Sequence, residues 1–536
     1  MLFFLIIALN TLTTYHATGS FIDSDASSEL VLAHQLSQTG QILSRDWIYS
    51  TELRVLNTQL IYAPMFLIFS DWHLVRFSSA LILQAIYIGT YGFMLNQGGF
   101  NKRQFYMSAA LLLLPVSVAY GRIVLYHCYY IPHISLSFLL VGLFLGFSEK
   151  TALSPVRSCV RLVFLLFFSF LGGLGGIRQL MITHAPMLLL LLLLCFLEDL
   201  QSNDCRKAAL FSRQKILLFA VAFLGLLAAF IGYKVNTTIF PKYYTFTSYN
   251  ETTLDIPDAD VINRLIYGFL HQFGFRKYTA MLSLLGILSL GSIPAAGFCL
   301  YLSFRNIRSY PSGQDLRKTM VQLFYLGYWI VMTAVFLLTD GGYHYVLYYV
   351  ICLPWAVPLL ISIPTHIPRT IHPFNVKRIF SWVTVCILFA NGFANTAFFN
   401  GVDKFDQIYE GLKFQNKDKA AQMAELADYL TENGYDAGYA TFWEGNILTE
   451  ISDGKLPMTN LDLIEIDGGA DLQYYQWLTS QWQQEAVKEK PFFVTRTNYQ
   501  HLFEVSDAFQ YCTLIYADDF HCAYSIDHLQ EFIDTL

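Results

Sequence analysis

The chain has 536 residues, of which 54% are hydrophobic, 16% aromatic and only 14% charged, with a formal net charge of −6. A soluble domain carries roughly 25% charged residues, so this composition excludes an ordinary soluble globule, and the acidic balance gives no basis for a nucleic-acid partner. The net charge conceals an asymmetry: from Asn400 onward there are 24 Asp and Glu against 8 Lys and Arg, whereas the preceding part has 16 against 26. A basic membrane body over residues 1–399 and an acidic, soluble tail over 400–536 therefore share one chain.

Met1–Ala17 carries no Lys, Arg, Asp or Glu, has no basic n-region and is followed by no A-x-A-like cleavage site. It is expected to be a retained first span and not a cleaved signal peptide. Ten further apolar runs follow, at about Leu74–Leu95, Tyr106–Ala119, Ile131–Phe147, Leu162–Gly176, Pro186–Leu197, Ile216–Tyr233, Met281–Phe304, Met320–Thr339, Val346–Ile363 and Ile379–Phe398. A helix needs about 20 apolar residues to cross the hydrocarbon layer, so the pattern is that of a polytopic, mainly α protein of about eleven spans.

Between the first two spans lies a polar interval, residues 18–73. Its stretch Phe21–Ile61 holds five acids, Asp23, Asp25, Glu29, Asp46 and Glu52, against Arg45 and Arg54. Carboxylates beside a bilayer are costly to desolvate. Such a cluster can hold a cation, act as acid or base, or lie in water as a solvated loop. A helix from about Ser27 to Gln38 with a turn at Gly40 would let the loop fold back and bring Asp25 to Glu52.

Alternate loops hold Lys102 and Arg103; Lys150, Arg157 and Arg161; Arg206, Lys207, Arg213 and Lys215; Arg305, Arg308, Arg317 and Lys318; Arg369, Lys377 and Arg378. The positive-inside tendency makes that side cytoplasmic. With eleven spans, the first loop, the loop Lys234–Ala280 and the tail then lie outside the cytoplasm. The outer loops also hold Arg122, Tyr126, His127, Arg178, His184, Tyr343 and His344. Tyr, His and Arg mark the headgroup belt in many membrane proteins. The sharper reading is that these residues line a cavity opening outward, with the Arg178 guanidinium placed to bind a phosphate.

In the tail, Ala420–Asn433 has helical spacing and stops at Gly434. Ala437–Trp443 alternates like a strand, Asn446–Ile451 and Leu472–Val487 read as helices, and Pro491–Thr497, Tyr511–Tyr516 and Phe520–Ile526 read as strands. The succession predicts a small α/β domain. Its acidic excess suits a cap or an acceptor-binding module. Cys512 and Cys522 flank Ala517-Asp518-Asp519, where a hairpin can set them opposite each other as a disulfide.

One span, a long outer loop opening with Asp25, then Gly40, Asp46-Trp47 and Glu52 ahead of an apolar segment, resembles the GT-C glycosyltransferases. The bacterial protein O-mannosyltransferase and aminoarabinose-transferase branch is the nearest pattern. The tail stretch Gly438–Lys455, GYATFWEGNILTEISDGK, is similar to C-terminal domains of that branch. In that branch an acidic pair opens the loop, whereas here Ala26 follows Asp25, and Asp23 or Glu29 stands nearby to substitute. The resemblance implies a GT-C membrane domain with an extracytoplasmic α/β tail, and inverting transfer of a sugar from a polyprenyl-phosphate donor to an acceptor hydroxyl. It implies Asp25 as base or metal ligand with Glu52 as partner, and Asp23 and Glu29 as supporting acids. It also implies Arg178, or a divalent cation held by Asp25 and Glu52, at the leaving phosphate. The expected partners are a polyprenyl-phosphate-linked sugar, membrane lipid, and a glycan, lipid or protein acceptor. The competing readings are a solvated, helix-capping role for the acids and a non-catalytic GT-C-like scaffold or sensor that binds a cell-envelope partner through its tail.

Overall fold

The computed structural model describes all residues except 51–52, 149–153, 202–212, 248–252, 255, 278, 310–315, 340–351, 362–375, 403–416, 467–468, 481–482 and 485–487. Its first helices are α1 (Leu2–Ser20), α2 (Ser24–Thr39), α3 (Gln59–Phe66) and α4 (Trp72–Gln97). Eight of the eleven expected spans are helices long and apolar enough to cross a bilayer: α1, α4, Ile131–Ser148, Pro155–Gly173, Arg213–Lys242, Leu284–Arg305, Leu316–Leu338 and Val376–Phe399. The chain is a membrane protein. Helices lie at the other three expected spans too. The first is the helix Lys102–Leu112, stopped ahead of Pro115; the second is Ala185–Gln201; the third is described only over Leu353–Ile361.

Chain compactness divides the molecule into two units. One unit comprises Met1–Thr13, Leu83–Thr237 and Glu251–Leu412 and is helical. Its helices Pro155–Gly173 and Arg213–Thr238 meet backbone to backbone: a Cβ on Gly173 would lie 1.9 Å from the Ala229 carbonyl oxygen, and one on Gly232 would lie 2.2 Å from that of Phe170. Small residues allow this approach where lipid gives helices no hydrophobic reason to associate. Two of the loop bases reach the end of α4 and the segment that follows it. Arg161 Nη2 donates to Gln97 Oε1 at 3.4 Å, and the Lys318 ammonium lies 4.9 Å over the Phe100 ring.

The other unit comprises Thr14–Ile82, Thr238–Asn250 and Lys413–Leu536, so it joins the first polar loop to the tail. Its strands are β1 (Trp47–Tyr49), β2 (Thr245–Phe246), β3 (Ala437–Thr441), β4 (Met458–Ile466), β5 (Gly469–Tyr474), β6 (Thr479–Ser480), β7 (Pro491–Arg496), β8 (Cys512–Ala517) and β9 (His521–Ile526). A six-stranded sheet runs in the order β5-β4-β3-β7-β9-β8, with β3 parallel to both β4 and β7. Alternate residues of β7 serve opposite faces. Phe492 and Val494 enter a core with Met423, Leu430, Leu448 and, from the first loop, Ile22. Phe493 packs on the other face with Tyr439, Phe503, Tyr524 and Phe532. A second, three-stranded sheet, β2-β1-β6, draws each strand from a different part of the sequence.

Two expectations for the tail are corrected. Over residues 472–480 the expected helix is absent: residues 472–474 belong to β5, paired antiparallel with β4, and Thr479–Ser480 is β6, paired with β1 of the first loop, while residues 483–484 are helical. Pairing to distant strands overrides local propensity in the two strand segments. Cys512 and Cys522 do lie on hairpin strands, but the register sets Cys512 opposite Ile526 and Cys522 opposite Ala517, and both thiols are free. The turn between the strands is centred about two residues beyond the midpoint of the two cysteines, so they sit at opposite ends of the ladder.

Candidate active site

Helix α2 begins where the sequence supplies a cap. Asp23, at φ −137° and ψ 161°, accepts the Ala26 amide at 2.9 Å through its side chain, and Gly40 ends the helix at φ 66°. A left-handed φ suits glycine, which has no Cβ to clash. Asp25 occupies the first turn and is half-buried. The helix dipole favours a carboxylate there.

The buried side of α2 carries Ala26, Leu30, Ala33 and Leu36. Its polar side chains are fixed by residues remote in sequence. Ser24 Oγ donates to the Phe442 carbonyl, and Ser27 Oγ donates to Glu450 Oε2 at 2.6 Å. Glu450 lies on the helix Phe442–Ile451 and takes two hydrogen bonds from Arg76 of α4: Nε to Oε1 at 2.6 Å and Nη2 to Oε2 at 2.5 Å. Arg76 is 1% exposed and Glu450 is 4% exposed. Glu29 forms a second brace with Arg54 at 3.6 Å and accepts from Asn57 Nδ2 at 3.1 Å and from Thr58 Oγ1. Burial pushes the Glu29 carboxyl above its usual range, opposed by Arg54 and by the Thr58 and Asn57 hydrogen bonds. Of the three acids at α2, Asp23 caps and Glu29 braces, while Asp25 stands on the first turn between them. Glu52 lies outside the described residues, so the Asp25–Glu52 pairing is not placed.

In the helical unit, the Arg178 guanidinium stacks over Tyr130 at 5.1 Å. The segment that carries it is held by Gln179, whose Nε2 donates to Ser137 Oγ at 3.0 Å and to Thr183 Oγ1 at 2.7 Å. Arg122 and Arg178 are half-buried, while Tyr126, His127 and His184 are buried. The Tyr126 ring packs against Phe399 at 4.7 Å. Gly121–Tyr126 and Leu180–His184 are both π-helical, a widened turn frequent at functional sites. Cys128 follows the first of them at φ 57°, a left-handed conformation that costs a non-glycine residue about 1–3 kcal/mol. Tyr343 and His344 lie outside the described residues.

Two features are missing from the sequence reading. The Arg76–Glu450 pair is one. The other is Arg276, 6% exposed in the helical unit. Its Nη1 donates to Asn391 Oδ1 at 2.7 Å and to the Gly274 carbonyl at 3.2 Å, and its Nη2 donates to Asn395 Oδ1 at 2.8 Å. Neighbouring Lys277 lies 4.6 Å over Tyr267. Burial, reinforced by the Arg276 charge, lowers the His271 pKa to about 4, so that imidazole is neutral at pH 7. The signal was available: Arg276-Lys277 is a pair of adjacent bases in a loop assigned to the side where bases are scarce. Among the described residues, no group of three or more His, Cys, Asp or Glu is arranged to hold a metal ion.

No protein-family model and no curated protein matches the chain. Solved structures do. ArnT from Cupriavidus metallidurans in the apo state superposes with a TM-score of 0.50 at 13% identity, over 98% of each chain. The same protein bound to undecaprenyl phosphate gives 0.47 at 12% identity, over 97% of each chain. An oligosaccharyltransferase from Archaeoglobus fulgidus, tethered to an acceptor peptide containing an NVT sequon, gives 0.47 at 12% identity, over 98% of this chain and 74% of that one. The apo ArnT likeness shows the fold alone: the chain shares the architecture of that protein, a body of membrane helices with a C-terminal domain.

Proposed function

We propose that the chain is a membrane glycosyltransferase that moves a sugar from a polyprenyl-phosphate donor to an acceptor hydroxyl on the extracytoplasmic face. The observation that carries this reading is the GT-C fold with Asp25 on the first turn of a helix whose underside is locked by Arg76 and Glu450. A base must be held still to be effective. Asp25 accepts the acceptor hydroxyl proton while the hydroxyl oxygen bonds to the anomeric carbon with inversion. The bond from that carbon to the phosphate oxygen breaks, and the lipid phosphate leaves with the electron pair. Positive charge near the departing phosphate stabilises the transition state. Arg178 would be the source of that charge. A divalent cation bound by Asp25 and Glu52 would supply the same stabilisation.

Purified protein in bilayers, offered polyprenyl-phosphate sugars and a hydroxyl acceptor, is expected to transfer. Absence of transfer with every donor sugar would overturn the reading in favour of a scaffold. Sidedness has its own test. A reporter active only in the cytoplasm, fused after Leu536, is expected to be silent, because the loop bases sort to the other side. An active fusion would place the tail and first loop in the cytoplasm.

A further inference from the structure

The tail sheet has a topological switch point. From β3 the chain leaves through the helix Phe442–Ile451 to β4, on one side of β3. On the other side lies β7, whose continuation, Thr497–Tyr499, turns away toward β8 and β9. Where connections diverge, a crevice opens outside the carboxyl ends of the strands, and in open α/β sheets that is where ligands bind.

The side chains at this crevice suit a particular chemistry. Trp443, just past the end of β3, is 44% exposed despite its size. Arg496, at the end of β7, holds its guanidinium 6.0 Å over the Trp443 ring. Arg496 Nε donates to Glu444 Oε1 at 2.5 Å, and Glu444 is 0% exposed and also accepts from Thr441 Oγ1. The charge of Arg496 is therefore already answered, which disfavours an anion as the occupant. Its Nη1 and Nη2 groups meet no protein acceptor among the described residues, and its side chain is 30% exposed. An exposed indole face beside unclaimed, charge-neutralised donors fits a ring bearing apolar C–H faces and hydroxyl rims.

The crevice also adjoins α2. The Phe442 carbonyl, one residue before Trp443, accepts the Ser24 hydroxyl, one residue before Asp25. The Phe442 ring is wedged against Tyr475 at 5.1 Å and Trp477 at 4.9 Å, which fixes the start of the helix that presents Trp443.

We infer that the crevice at Trp443 and Arg496 binds a neutral pyranose of the acceptor, so that the acceptor is a carbohydrate. This rests on the transferase reading for the word acceptor, but the binding itself does not. The full chain in nanodiscs, without donor, is tested against immobilised mannan, glucan and galactan fragments and against Ser- and Thr-containing peptides. Retention on at least one oligosaccharide is expected, weakened about tenfold or more by Trp443→Ala and largely kept by Trp443→Phe. The exposed position of Trp443 predicts unchanged thermal melting in both variants. Retention of no oligosaccharide, retention of peptides alone, or wild-type binding by Trp443→Ala would overturn the inference. Transfer assayed separately keeps the two ideas apart. Transfer without sugar binding at this crevice sinks only the acceptor assignment, whereas sugar binding with no transfer from any donor sinks only the enzyme.

Discussion

Asp25→Asn is expected to lower sugar transfer by about 10²–10⁴-fold, the usual cost of removing a general base. Asparagine keeps the size of the side chain and its hydrogen-bonding reach but cannot take a proton, so the loss should fall on the rate and not on folding. Asp25 lies on the first turn of α2 and is half-buried, so a thermal melt close to wild type is the control that separates lost chemistry from lost packing. Two other acids calibrate the result. Asp23 caps α2 through its side chain, and Asp71 accepts the Leu74 amide at 2.8 Å at the start of α4. Asparagine caps helices about as well as aspartate, so Asp23→Asn and Asp71→Asn should be mild. Glu52→Gln should be as severe as Asp25→Asn if the two act as a pair. Wild-type transfer by Asp25→Asn would remove the catalytic assignment while leaving the fold untouched.

The largest stability effect should come from Glu450→Ala. That change leaves the Arg76 guanidinium, 1% exposed, without the carboxylate that takes two of its hydrogen bonds, and takes the acceptor away from Ser27. Breaking a buried pair from one side typically costs about 3–5 kcal/mol, because the surviving charge stays desolvated. Removing both charges is a different experiment. Arg76→Met with Glu450→Leu should recover much of the loss, since an apolar pair of similar volume is often neutral. Thermal melting of the single and double variants decides this, and a Glu450→Ala melt equal to wild type would show that the pair does not hold the unit. The same geometry bears on the tail. Deleting Asp418–Leu536 strips α2 of the helix Phe442–Ile451 and strips Ile22 of its core, so the first loop should lose its fold along with acceptor use. The tail is thus a support for the helix that carries the candidate base.

Much of this was legible in the sequence because the signals are local. Apolar runs of bilayer length announced the spans. Gly40 announced the end of the helix expected over about Ser27–Gln38, since caps act within a turn or two, whereas its start lies three residues earlier, at Ser24, where Asp23 caps it. β3, β7, β8 and β9 followed from short alternating runs bounded by turns. What only the tertiary structure decided is long-range. Arg76 and Glu450 are 374 positions apart, and nothing about either residue names the other. Arg76 sits at the start of an apolar helix, where it reads as an interfacial base. Residues 472–474 and Thr479–Ser480 became strand because β4 and β1 were there to pair with them, and the cysteine register was set by a hairpin turn centred about two residues beyond the midpoint of the two thiols. The roles of Asp23, Asp25 and Glu29 were likewise separated by burial and by partners elsewhere in the chain. The sequence by itself determined the solvent each segment prefers and the secondary structure that satisfies its backbone. The tertiary structure determined which polar groups meet once those segments pack, because that depends on the shared cost of burying charge and not on any one stretch of residues.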